Sequence, residues 1–287
     1  SLLKAHGFNP VYFELVSAKT SKWQQGDGKG GLKNLYSSKI TVKPIENGID
    51  LEDICQHFEH FKSPVNNNLH RNIDRTGDKV AVLSLADVHF GRVASDYETG
   101  NVYNMDIAEQ NMLKVANEFV NSLRGNNIGE IHLLFGNDYI NSSFTGKTTS
   151  QSHPQDNDTT FNTIFKRGAE AIIKVIDILN TAAPVKVILV NGNHCRAEEF
   201  QMAMLLEAYY RTIDAVTVDA NPYPRKYDRI GNTLLGYTHG SDEKGRIDGL
   251  MQVEAAEDWG ATKNHYWLLG HLHHLDVALK ENFGVTT

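Results

Sequence analysis

VAVLSLADVHF, residues 80–90, decides how the rest of the chain reads. Val80 to Ala86 is a short apolar run, and such a run predicts a buried strand. It ends in Asp87-Val88-His89, a carboxylate and an imidazole two residues apart. Just past a strand end the alternation of faces lapses, so both side chains can turn into one pocket. A single pair of this kind says little. Four later blocks repeat the arrangement after apolar stretches: Gly136-Asn137-Asp138, Gly192-Asn193-His194, His239-Gly240 and Gly270-His271-Leu272-His273. Asp, Asn and His are the donors that a hard-to-borderline divalent ion takes. The glycines let the backbone turn sharply off each strand, so donors converge without a Cβ in the way. Seven donors with no thiolate disfavour a structural zinc knot and exceed what one tetrahedral ion needs. They suit two ions sharing a bridging carboxylate.

Around these blocks strands alternate with helices. Helices are predicted over 106–124, with Asp106 as N-cap and Gly125 just past the end, over 160–181 and over 198–210. Strands are predicted over 131–135, 185–190, 216–218, 230–237 and 265–269. This alternation predicts an α/β domain with its ligands at strand ends. Upstream, residues 1–62 form an N-terminal segment. Two strand-like stretches, 11–25 and 35–45, flank the turn cluster 26–31, and a short amphipathic helix over 49–61 follows. The hairpin is basic, with Trp23 and Tyr36 near its tip, and is open to two readings: a wing on nucleic-acid phosphates, or a solvated hairpin. Residues 63–79 read as a linker, and residues 80–287 as the main domain.

Hydrophobic residues make up 40% of the 287 and charged residues 22%, the balance of a soluble globular protein with a sizeable core. No apolar run approaches the roughly 18 residues that cross a bilayer, so no membrane partner is expected. The start carries no signal-peptide pattern, and two cysteines, Cys55 and Cys195, fit a reducing compartment; the expected location is cytoplasmic. Net charge is −7, which argues against a uniformly basic nucleic-acid binder. The charge is uneven: seven lysines against Glu14 and Asp27 give residues 1–45 a net +5, so the remainder carries −12. Bound cations would offset part of that acidity.

The five blocks, in this order, resemble the calcineurin-like metallophosphoesterase superfamily over about residues 80–280. The helix from Cys195 to Tyr210, the stretch from Trp259 through Tyr266-Trp267 to His274, and Leu35-Tyr36-Ser37-Ser38-Lys39 are similar to bacteriophage-encoded, DNA-repair-exonuclease-like members. The resemblance implies a layered α/β/β/α sandwich preceded by the basic hairpin and helix. It implies two divalent metal ions, with Mn²⁺ expected and Zn²⁺, Fe²⁺, Ni²⁺ or Mg²⁺ as alternatives. Asp87, His89, Asp138 and His273 would hold the first ion, and Asp138, Asn193, His239 and His271 the second. His194 would bind no metal but would face the scissile phosphate and protonate the leaving oxygen. The implied reaction is phosphodiester hydrolysis by a metal-bridging hydroxide, with ions about 3.5–4 Å apart. DNA is the expected partner, in the host cytoplasm if the chain is phage-encoded. A phosphomonoesterase or small-nucleotide phosphodiesterase is the alternative, and a weakly catalytic, metal-bound DNA-binding module the third reading.

Two departures from the family pattern bear on activity. Cys195 stands where a carboxylate usually follows the catalytic histidine and is a poor acceptor, so either the acid is mis-set or another group takes the place of that carboxylate. Asn141 stands near where many members carry a further carboxylate. His274 is either a supporting partner of the site or a mere neighbour of the motif. His132, mid-strand, reads as a satisfied interior residue, and the polar loop 145–158 as a substrate-facing flap or a solvated excursion. The family's final strands look absent after His273, so the domain is expected to be C-terminally incomplete.

Overall fold

The computed structural model describes residues 2–6, 13–26, 31–44, 51–63, 77–143, 148–150, 152–243, 245–271, 281–282 and 284–286. The chain divides into two units, residues 1–53 and 54–287. The first holds α1 (Leu2–Ala5) and a long antiparallel ribbon of β1 (Phe13–Gly26) and β2 (Leu32–Pro44). Cross-strand partners run from Phe13 with Pro44 to Gly26 with Leu32, with an irregularity in register between Leu15 and Ser17. Helix α2 (Leu51–His60) spans the division in sequence. Most of the expected linker, residues 64–76, lies outside the described residues.

The second unit is α/β. β3 (Lys79–Ser84), α3 (Asp96–Thr99), α4 (Met105–Ser122), β4 (Ile128–Gly136), α5 (Phe161–Leu179), β5 (Val185–Val190), α6 (Arg196–Tyr210) and β6 (Val216–Asp219) come first. Their four strands pair in parallel in the order β3-β4-β5-β6. Then follow β7 (Lys226–Ile230), β8 (Thr233–Tyr237), α7 (Ile247–Glu254), α8 (Ala256–Ala261), β9 (Asn264–Leu268), β10 (Glu281–Asn282) and β11 (Val285–Thr286). These strands make a second, mixed sheet in the order β10-β11-β9-β8-β7.

The period of two along each buried strand sorts its side chains between two cores. On one face of the parallel sheet, Leu133, Phe135, Val187 and Leu189 pack with Ala116 of α4, Ile172 and Ile176 of α5 and Leu206 of α6. On the other face, Leu134, Ile188 and Val190 pack with Leu235 and Tyr237 of the second sheet. Both faces are covered, which is why these strands are apolar almost throughout. Each fully buried Ile or Leu contributes on the order of 1.5–3 kcal/mol of transfer free energy. Leu234 and Trp267 form a third cluster with Met251 of α7 and Val285. No helix among the described residues is long and apolar enough to cross a membrane.

Four local expectations are resolved. The predicted strand over 230–237 begins on the wrong side of a turn: Ile230 ends β7, Gly231, at φ 57°, turns the chain, and β8 starts at Thr233. Asn104, not Asp106, caps α4: its side-chain oxygen accepts the Ile107 N–H at 2.9 Å. Two short strands, β10 and β11, do follow His273 and extend the second sheet. His132 is a satisfied interior residue, with Nδ1 3.1 Å from Tyr237 Oη and Nε2 2.9 Å from Glu130 Oε2.

Candidate metal centre

The three parallel strands β3, β4 and β5 end in loops on the same side of their sheet, and these loops carry Asp87 and His89, Asn137 and Asp138, and Asn193 and His194. The loops are knitted together by backbone. Asp87 N–H donates to Asn137 O at 2.8 Å and His89 N–H to Asp138 O at 3.0 Å. Asn137 N–H donates to Val190 O at 2.5 Å, and Tyr103 Oη steadies Val88 O at 2.6 Å. The second sheet supplies His239, just after β8, and His271, just after β9. The Gly270 N–H ties these two by donating to His239 O at 3.1 Å.

The donors meet around Asp138. Ligand-type atoms of His89, Asp138 and His194 all lie within 4.8 Å of one another, and so do those of Asp138, His239 and His271. Asp138 belongs to both groups. His239 Nε2 is 3.1 Å from Asp138 Oδ2 and 2.8 Å from Asn193 Oδ1, while its Nδ1 is 2.5 Å from Asn137 Oδ1. With the Nδ1 proton donated to the Asn137 oxygen, the neutral ring turns a lone pair toward two further oxygen acceptors. Three acceptors aimed at one point are what a cation requires, so the donor chemistry around His239 fits a divalent ion; the other group counts His194 among its three donors, and without it offers His89 and Asp138. Burial works against the charge on Asp138; with no ion bound and the His239 ring protonated at Nε2 as well, the hydrogen bond and charge of that ring, then the His194 backbone N–H at 2.8 Å, outweigh it and hold the carboxyl below its ordinary range.

His194 differs from the other imidazoles. Its Nδ1 lies 2.8 Å from the backbone oxygen of Asn141, which can only accept, so Nδ1 carries the proton. Nε2 then faces the site, 3.9 Å from Asp138 Oδ2, and the ring sits 4.5 Å from that of His89. The orienting group that Cys195 cannot provide is thus a backbone carbonyl. The Cys195 thiol is buried, donates to Ile140 O at 3.2 Å, and is pushed well up in pKa by burial first and by Glu199, Glu198 and Asp138 in addition. Ser150 closes over the same loop, its N–H and hydroxyl both donating to His194 O, at 2.7 and 2.8 Å. This part of the loop 145–158 is therefore tied to the site.

Asp87 bridges two loops. Its two carboxylate oxygens accept the His271 N–H at 2.9 and 3.2 Å, and it stands in neither donor group. It links the loop after β3 to the loop after β9. His273 and His274 lie outside the described residues.

Close approach of backbone to these donors depends on two glycines. A Cβ on Gly192 would stand 1.9 Å from Asp138 Oδ1, and one on Gly270 would stand 2.6 Å from Asn137 Oδ1. The backbone itself is held in an uncommon region. Six non-glycine residues among those described have positive φ: Asp87, His89, Asn137, Asp138, Ser152 and His271. All but Ser152 are in this site, in line with the tendency of such strain to collect where function needs it.

Sequence reasoning missed Glu199. It is fully buried in the first turns of α6, and it accepts the Tyr139 N–H at 2.7 Å on Oε1 and the Gly192 N–H at 2.8 Å on Oε2. One carboxylate thereby clamps the loop of Asp138 to the loop of Asn193. Burial, then the charge of Asp138, push its pKa up to about 8 against the pull of those two N–H groups.

Comparison with known proteins adds no relative: no family model, no curated protein and no solved structure matches this sequence.

Proposed function

We propose that the chain is a dinuclear metal-dependent phosphodiesterase of the calcineurin-like metallophosphoesterase kind, acting on DNA. The observation that carries this reading is that Asp138 belongs to both donor groups, one with His89 and His194 and one with His239 and His271. The stacking of two sheets between helical layers supports the α/β/β/α sandwich that the resemblance implies. His89 and Asp138, joined by His273 if the resemblance holds, would keep one ion, and Asp138, Asn193, His239 and His271 the other. Two such ions would neutralise phosphoryl oxygens and supply an activated water near neutral pH. The chain's own part is positional and protonic. His194, fixed through Nδ1, presents Nε2 to the site; as the imidazolium, with a second proton on Nε2, it would give that proton to the departing oxygen and return to the neutral ring. Asp87 and Glu199 keep the four loops in register, and the paired glycines leave space for the carboxylate and amide between them.

The test is hydrolysis of single- and double-stranded DNA with Mn²⁺, with and without chelator, by the parent and His194→Ala. Loss of turnover in both cases is expected; turnover indifferent to chelator and substitution would overturn the reading. The net −12 outside residues 1–45 favours a second reading, a small phosphoester substrate. A chromogenic diester, a monoester and a cyclic nucleotide run beside DNA separate the two.

A further inference from the structure

The ribbon of the first unit carries a feature that the metal centre does not use. Lys19 and Lys39 stand directly opposite each other across β1 and β2. Like charges in that relation destabilise a strand pair. No ion pair relieves them among the described residues, and both lysines are exposed. With the strand period of two, Trp23 and its partner Leu35, and Lys33 opposite Gln25, fall on the same face. Residues 17–25 and 33–41 contain four lysines and no acidic residue, in a chain of net charge −7. The opposite face holds Lys22, whose ammonium lies 5.6 Å from the centre of its cross-strand partner, the Tyr36 ring. Trp23 and Tyr36 are 46% and 65% exposed. Tyr36 has the Lys22 ammonium over one face and Trp23 is the register partner of Leu35, so Lys19, Lys39 and Lys33 are the charged groups of the ribbon that no such contact engages among the described residues. The ammonium groups are what remain for a partner.

We propose that this ribbon binds the phosphate backbone of duplex DNA, through the Lys19–Lys39 rung and Lys33. From Lys39 to Lys33 is six residues, about 20 Å along the strand. That length follows about six base pairs at roughly 3.4 Å each. A two-stranded ribbon is also a body that the major groove, about 12 Å wide, admits. The anion supplies the missing compensation between Lys19 and Lys39. Only the choice of partner rests on the nucleic-acid reading of the metal centre; the surface itself is independent of it.

The full chain is tested in chelator, so that no turnover intervenes. Fluorescence anisotropy of a labelled duplex is followed over a salt series for the parent, for Lys19→Gln/Lys39→Gln and for Lys114→Gln, an exposed lysine of α4. Each phosphate that is no longer neutralised makes the slope of log K against log salt shallower by about 0.9, so the double variant is expected to be shallower by about 1.8. Lys114→Gln is expected to match the parent. The double variant should melt no lower than the parent, because it removes a repulsion, and should hydrolyse a small chromogenic diester at the parental rate. A parental slope and affinity in the double variant would overturn the proposal, as would an equal weakening in Lys114→Gln. If the metal-centre reading fails, diester hydrolysis is absent in every variant, while the binding difference persists.

Discussion

Gly192→Ala adds one methyl group at the point where the loops after β4 and β5 touch. The new Cβ would lie 1.9 Å from Asp138 Oδ1, 2.7 Å from its Cγ and 2.3 Å from its backbone nitrogen. Ordinary contact begins near 3.4 Å, so the oxygen must recede by about 1.5 Å. Side-chain rotation alone cannot answer this, because the backbone nitrogen is also too close. That backbone is pinned by the bonds from Asn137 N–H to Val190 O, 2.5 Å, and from His89 N–H to Asp138 O, 3.0 Å. Overpacking of this sort costs typically about 1–3 kcal/mol. Metal donors keep their distances within about 0.2 Å, so a displacement of about 1.5 Å withdraws Asp138 from both groups at once. Calorimetric titration with Mn²⁺ is expected to show affinity lower by at least about 100-fold, beyond the roughly 10–100-fold typical of a lost supporting partner. Gly249→Ala is the control, since a Cβ there meets nothing within 4 Å. Two ions bound to Gly192→Ala with parental affinity would refute the assignment of Asp138 as the shared ligand.

Further outcomes are expected at three side chains. His194→Ala should lower turnover by about 10²–10⁴-fold while Mn²⁺ binding persists; loss of an ion in parallel would make it a ligand instead of an acid. Glu199→Gln leaves one of two buried N–H groups facing an amide NH₂, a loss of about 1–3 kcal/mol in urea unfolding. The raised pKa of Glu199 means that the folded state binds a proton the unfolded chain releases. The stability it contributes is complete below about 4.5, declines as pH rises toward about 8, and is constant above. Metal-free unfolding measured from pH 5 to 8 should therefore fall less steeply in Glu199→Gln, and an unchanged slope would exclude the residue as its source. Cys195→Ala should retain turnover, because the Asn141 carbonyl orients His194, and native Cys195 should resist iodoacetamide at pH 8 by mass spectrometry.

Much of this arrangement is legible along the chain because its grammar is local. An apolar run followed by glycine and a donor fixes both the strand and the place where the donor leaves it, as at Val185–Val190 before Gly192-Asn193-His194. Partnerships that close through space leave no such mark. Glu199 meets Tyr139 across 60 positions, and Asp87 meets the His271 N–H across 184. In sequence Glu199 is an acidic residue near a helix start, which the helix dipole alone would favour. The oxygen that orients His194 belongs to the backbone of Asn141, and a backbone oxygen is the same whatever the side chain. The division of 230–237 was hidden for a related reason: Gly231-Asn232 interrupts a run whose flanking residues fit a strand on either side.

The left-handed residues of the metal centre carry a consequence for substitution there. At positions 87, 89, 137, 138 and 271 the backbone would be most at ease with glycine, yet the sequence keeps a donor-bearing side chain at each. Glycine at any of them would ease the backbone and at the same time remove a side chain that meets its neighbours here, as Asp87 meets the His271 N–H and Asn137 the His239 ring. Backbone strain and side-chain contact are thus bound to the same five positions, and neither can be changed without the other.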